Sequence, residues 1–335
     1  MKFSGLPVPA RRAAIALCGL TLFLIWDQHH WWKLQDEYAF GFIVPLFVAY
    51  VLFERWPALS GALIQDKSQG DQILAPQSPT AILYYSLSAL AFLMVAAGLG
   101  AFLAGILYRA MEGQNLISSN FLAFGYANIV LGVAFLYTGK RSEGQGIPVQ
   151  ERIQLTLLFL FPALIWMLSV PMFSAVHKTV STFLMNKVAL VVYTSFDWLG
   201  YAVIREGSVL KLPLGDVGVE DACSGIRSLT ACLFAGSFLG AVYFEAFWKK
   251  ALLVVTSMLF AFFNNILRSL FLTAWAYAKG PEGLDGHIQL LGLDIGSVHD
   301  VTGWMVLGLT VFCLLALVKL LSIRLEYPLH EEESL

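Results

Sequence analysis

Three residues at the ends of apolar runs could carry chemistry in this chain. Cys223 lies in GVEDACSGIRSLTACLF, where a polar, glycine-punctuated approach gives way to a hydrophobic stretch. A cysteine at a helix start faces unpaired N–H donors and the positive end of the helix dipole, and both favour thiolate over thiol. Ser224 and Gly225 follow, small enough for a substrate backbone to approach, and Arg227 is one turn on, at i+4. Taken alone, Cys223 reads equally well as a residue that packs at a helix start. Arg268 lies in FAFFNNILRSLFLTAWAYA, about 26 Å along the helix axis from Ala251. An arginine in such a run is costly and usually faces a bundle interior or wet cavity. Asn264 and Asn265 precede it by about one turn and extend the polar patch. His299 opens the last apolar run, in GSVHDVTGWMVLG, with Gly303 one turn on. The adjacent Asp300 points elsewhere on a helix and is a poor orienting partner for the imidazole. A thiolate that attacks a carbonyl, an imidazole that moves the proton and a guanidinium that stabilises the oxyanion form a nucleophilic acyl-transfer set. Arg227 competes with Arg268 for the last role.

The elements that must position these residues are membrane helices. The chain has 335 residues, 58% hydrophobic and 13% charged, with a mean hydropathy of +0.71. Eight runs approach or exceed the length that crosses a bilayer: Ala13–Trp26, Tyr38–Phe53, Ala81–Leu107, Asn120–Tyr137, Ile153–Phe173, Cys223–Phe247, Ala251–Ala278 and Val298–Ser322. The fold class expected is an all-α polytopic membrane protein. Arg11 and Arg12, then Lys140, Arg141 and Arg152, then Lys249 and Lys250, then Lys319 and Arg324 all fall on one side of such a bundle. The positive-inside rule makes that side, and both termini, cytoplasmic. RRAAIALCGLTLFLIW has no small-residue cleavage site after it and reads as a retained first span. The loops on the other side include DQHHWWKLQDE. Residues 174–222 read as an outer-face insertion. In it, Val180, Phe183, Leu184, Val188, Val191 and Val192 make an amphipathic helix at the interface or on the bundle rim. Short strands follow from Val203 to Leu214, the only sheet expected. Gln65–Pro79 reads as a loop, and the whole chain as a single integral membrane domain.

DACSGIRSL, NNILRSL and HDVTGW, in this order on three late spans, resemble the exosortase/archaeosortase family of membrane-embedded, transpeptidase-like cysteine enzymes. The motifs run from Asp221 to Gly303. The resemblance implies Cys223 as nucleophile, Arg268 and His299 as its partners, and Asn265 as the asparagine of the arginine motif. Asp221, Ser224, Gly225, Arg227, Asn264 and Gly303 would be substrate-binding or supporting residues. EYAFGFIVPLFVAYVLFERW is similar to the family's early motif, with Phe40 where a histidine usually precedes the glycine.

The resemblance also implies substrates: secreted proteins whose C-terminal sorting tail carries a short motif, a transmembrane helix and a basic cluster. They would be cleaved at the periplasmic face of a bacterial inner membrane and passed to a surface glycan or lipid acceptor. No cofactor and no metal site is expected, because the histidines do not cluster with carboxylates, and the net charge of -2 gives no nucleic-acid footprint. Two other classes fit eight spans with intramembrane polar residues. One is a transporter or channel, although no inverted halves are visible. The other is a non-catalytic assembly factor for polysaccharide or protein export.

Overall fold

The computed structural model describes residues 6–64, 79–139, 147–218, 225–290 and 293–322. Two compact units, 1–178 and 179–335, divide the chain. Among the described residues, eight helical segments are long and apolar enough to cross a membrane: Val8–Leu34, Glu37–Leu63, Ile82–Glu112, Leu116–Tyr137, Val149–Leu168, Ile226–Tyr243, Phe247–Lys279 and Val298–Ser322. They coincide with the eight runs in the sequence, and the protein is an all-α polytopic membrane protein with a few short strands. The segment Gln65–Pro79, Lys140, Arg141 and Arg324 lie wholly or mainly outside the described residues.

The first unit contains α1 (Val8–Leu34), a 3-10 turn (Asp36–Ile43), α2 (Val44–Ile64), α3 (Pro79–Glu112), α4 (Leu116–Tyr137), α5 (Val149–Leu157) and α6 (Leu160–Leu168). Its tightest packing is between α3 and α4. Ala91, Gly98 and Gly105 recur a heptad apart on one helix, as do Ser118, Gly125 and Gly132 on the other. A Cβ on Gly125 would lie 2.6 Å from the Phe102 nitrogen and 2.7 Å from the Gly98 carbonyl oxygen, and one on Gly132 would lie 2.6 Å from the Ala91 oxygen. Small residues therefore let the two backbones touch, the main means of helix association in lipid.

At one end of this unit, DQHHWW is helix, not loop, and closes a polar junction. Asp27, Gln28, Trp31 and Trp32 share a helical face and are buried. Arg109 of α3 pairs with the Asp27 carboxylate, and Gln114 donates to the Asp27 carbonyl (2.5 Å). Gln28 donates to the Trp166 carbonyl (3.1 Å) and accepts from Ser169 (2.6 Å). The Trp31 and Trp32 indoles donate to Ser119 (2.8 Å) and to the Ser169 carbonyl (3.0 Å). Gly41, of the early motif, leaves the room that the Trp32 ring occupies.

The break between α5 and α6 follows from Pro162, which has no N–H for the carbonyl of Leu158, four residues back. Arg55 of α2 donates to that carbonyl instead. At the same end, Arg152 is buried and caps α4 through the Phe135 carbonyl (2.6 Å). One face each of α1 (Ala10, Ala13, Ala14), α2 (Trp56, Leu59) and α4 (Tyr137, Thr138), with Phe159, lines a half-open apolar groove of about 200 Å³.

The second unit holds most of α7 (Ser174–Trp198), then β1 (Ile204–Glu206), β2 (Val209–Leu212), β3 (Gly215–Gly218), α8 (Ile226–Tyr243), α9 (Phe247–Lys279), β4 (His287–Leu290), β5 (Leu293–Ser297) and α10 (Val298–Ser322). α7 buries Val188, Ala189, Val192 and Phe196 against Leu210, Leu212 and Val217 of the sheet and Ile266 and Ala276 of α9. Leu184 and Asn265 both flank Gly225, and further along both helices the rings of Phe196 and Tyr277 lie 6.3 Å apart. α7 thus runs alongside α9, in the same direction. The expected strands form the antiparallel sheet β1-β2-β3. It is not the only sheet: β4 and β5 pair as a second, two-stranded ribbon, in a stretch that reads from composition as an acidic loop. In this ribbon His287 Nδ1 lies 2.8 Å from Asp294 Oδ2. The Gly296 N–H and then His287 hold the Asp294 carboxyl below its ordinary range, and the same pairing raises His287. Gly236 of α8 packs on Ser257 of α9, and Lys249 donates to the Leu321 carbonyl at the end of α10 (2.8 Å).

Candidate active site

α9 and α10 bring Arg268 and His299 into contact. Arg268 Nη2 lies 3.1 Å from His299 Nε2, 3.4 Å from Nδ1 and 3.3 Å from the His299 carbonyl oxygen. Guanidinium only donates, so the ring offers it a lone pair and any proton of a neutral imidazole sits on the other nitrogen. Gly303 lies beside this contact: a Cβ there would sit 3.6 Å from Arg268 Nη2, an ordinary contact that does not itself demand glycine. The neighbour that Gly303 meets is the arginine head, not the backbone of another helix. Arg268 Nε is buried and has no hydrogen-bond partner among the described residues, and the same holds for Ser269 Oγ.

The two asparagines brace different neighbours. Asn264, buried, donates to Thr310 Oγ1 on α10 (2.6 Å), and that hydroxyl donates to the Val306 carbonyl (2.8 Å). Asn265 abuts Gly225: a Cβ there would lie 3.2 Å from the Asn265 amide nitrogen. The polar patch is thus split between the start of α8 and the flank of α10. Thr310 was not a candidate from the sequence, because one threonine in an apolar run carries no signal. Thr310→Val should strand a buried amide. In a membrane, where the unfolded chain also finds partners, we expect a stability loss of about 1 kcal/mol. Because the bond fixes α9 against α10 next to Arg268, turnover should fall more than thermal stability does, and paired melting and activity assays check both.

Gly225 precedes α8 with φ +66°, in the left-handed region that glycine adopts most readily. The described helix begins at Ile226, so the expected placing of Cys223 and Arg227 on one helical face falls partly outside the described residues. Arg227 is exposed. Cys223, Ser224 and Asp221 lie outside the described residues.

At the other side of the site, Ser297 and Asp300 form a reciprocal cap on α10. Asp300 Oδ2 accepts from Ser297 N (3.2 Å) and Oγ (2.8 Å), and Ser297 Oγ accepts from Asp300 N (3.1 Å). The S-x-x-D spacing before an apolar run is a legible signal for it. With Oδ2 so engaged, Asp300 Oδ1 stays 3.9 Å from His299 Nδ1, beyond hydrogen-bond range.

A family model of transmembrane exosortases matches residues 31–316, a span that holds every motif above. The chain belongs to the transmembrane exosortase family. No curated protein and no solved structure matches it. Exosortases are a family of transpeptidase-type sorting enzymes embedded in the membrane. The match includes the early motif, so Phe40 is a variation within an exosortase.

Proposed function

We propose that this exosortase is a cysteine peptidase or transpeptidase that cleaves the C-terminal sorting tails of secreted proteins and passes the acyl group to a surface acceptor. Cys223 attacks the scissile carbonyl. His299 takes the thiol proton on the ring nitrogen that faces Arg268 at rest, as the guanidinium turns toward the oxyanion and keeps the His299 carbonyl, and returns it to the leaving amine. Arg268 donates to the oxyanion, a role suited to its fixed charge and rigid donor fork. The observation that carries the reading is the contact between Arg268 and His299 at the end of α10 that starts beside the ribbon, with one arginine N–H still lacking an acceptor among the described residues. Asn265 and Leu184 at Gly225 support it, because that glycine is two residues from Cys223. The basic clusters, by the positive-inside rule, put this end of α8, α9 and α10 on the periplasmic side of a bacterial inner membrane, with both termini cytoplasmic.

Cys223→Ala and Cys223→Ser, each followed with a tail-bearing substrate by mass spectrometry of its mature C-terminus, test the proposal. Loss of cleavage in both, with the protein still inserted, is the expected outcome. Cleavage retained in Cys223→Ala would overturn the enzyme reading in favour of an assembly factor. The mass of the mature C-terminus separates hydrolysis from transfer.

A further inference from the structure

The two adjacent asparagines of α9 are buried to nearly the same degree and are used differently. Asn264, 6% exposed, gives its amide N–H to Thr310 of α10 (2.6 Å). Asn265, 4% exposed, makes no hydrogen bond with another described residue. A buried amide without an acceptor is destabilising, and a leucine of the same shape would avoid that cost.

The Asn265 amide faces the start of α8. A Cβ on Gly225 would lie 3.2 Å from Asn265 Nδ2. Gly225 is the N-cap of α8 and has no side chain with which to bond the N–H groups of its own helix. The first bond within α8 runs from the Leu229 N–H to the Gly225 carbonyl (2.9 Å). The N–H groups of Ile226 and Ser228 therefore have no acceptor inside the helix. They lie at the positive end of the dipole of an 18-residue helix. A side-chain donor from a neighbouring helix thus stands beside a helix N-terminus, and both favour a negatively charged oxygen. Chain length alone keeps the Cys223 Cα within about 7 Å of the Gly225 Cα. Arg268 follows Asn265 by three residues on α9, so the two occupy neighbouring positions on the helix surface.

We propose that Asn265 is a catalytic residue whose amide N–H, together with the N-terminus of α8, forms an oxyanion site beside the charged donor Arg268. The inference rests on the acyl-transfer reading above. Attack by the Cys223 sulfur on the scissile carbonyl carbon forms a C–S bond and moves the carbonyl π pair onto oxygen. That oxygen accepts from Asn265 Nδ2 as its charge develops. On collapse the pair returns, the C–N bond breaks, and the leaving amine takes the proton held by His299.

The test follows Asn265→Leu and Asn265→Ala in the full-length, membrane-inserted protein with a tail-bearing substrate. Leucine keeps the shape of asparagine and removes its donors. Both variants should lose about 100- to 1,000-fold in kcat with KM nearly unchanged. Alkylation of Cys223 by iodoacetamide passes through no oxyanion, so its rate and pH profile should stay those of the wild type. A residue that only holds the Gly225 turn behaves otherwise: leucine restores what alanine loses, or alkylation changes along with cleavage. Either result overturns the proposal, as does near-normal kcat in both variants. Cys223→Ala is assayed beside them. If it still cleaves, the acyl-transfer reading fails and this inference with it. If it is inert while Asn265→Leu cleaves normally, only the oxyanion assignment fails. Asn265→Leu decides the matter if Asn265→Ala does not insert.

Discussion

Arg268→Lys should leave the protein folded and inserted but lower turnover about 100-fold, the loss typical of removing one oxyanion donor. Lysine keeps the charge and loses the fork. In the wild type one terminal nitrogen, Nη2, meets the His299 ring and carbonyl while Nε stays available. A single ammonium on a flexible stem cannot hold the imidazole and meet a developing oxyanion together. The effect should fall on kcat more than on KM, because the oxyanion exists only in the transition state. His299→Ala should cost at least as much, and the double variant little more than either single one, since groups that act as a unit are not additive. A loss confined to KM would place Arg268 in substrate binding. Near-normal turnover would end its catalytic assignment.

The second large effect is on stability. Asp27→Ala removes the partner of Arg109 inside the polar junction of the first unit, where the Asp27 side chain is fully buried and that of Arg109 is 17% exposed. Breaking a buried pair by removing one member costs about 3–5 kcal/mol. Arg109 also stacks on Trp26, 4.4 Å from the ring centroid, and bonds to Gln114, so the low end applies. For a unit of this size that corresponds to a drop of roughly 10 °C in unfolding midpoint, at about 3 °C per kcal/mol. Asp27→Asn should cost less, and removing Arg109 as well should recover part of the loss, because no lone charge is then left behind. A midpoint unchanged in Asp27→Ala would show that the pair contributes nothing to the fold.

The spans were legible because an apolar run of bilayer length has few other uses, and the contact of Arg268 with His299 because two antiparallel neighbours must meet near their shared end. The strands at Ile204–Glu206 and Val209–Leu212 showed through their alternation. What composition concealed depends on partners distant in sequence. The run from Asp27 to Trp32 looks like a polar loop until the i, i+1, i+4, i+5 spacing of Asp27, Gln28, Trp31 and Trp32 is read as one helical face. Arg55 has the pattern of another cytoplasmic charge, and only the proline on a different helix explains it. α7 has an amphipathic pattern, but nothing local says that its buried face meets both a sheet and α9. The ribbon of β4 and β5 is too short, and too rich in glycine and aspartate, to stand out from a loop.

That ribbon leaves His299 almost no slack. β5 ends at Ser297 and α10 begins at Val298, whose N–H bonds back to the Gly286 carbonyl at the ribbon's entry (3.1 Å). The Ser297–Asp300 cap then locks the first helical turn. No linker remains to absorb displacement, so strand pair and imidazole behave as lever and tip. Under the role proposed for His299, a molecule that gripped the hairpin would tilt the ring directly, and tightening or loosening that grip would adjust proton transfer.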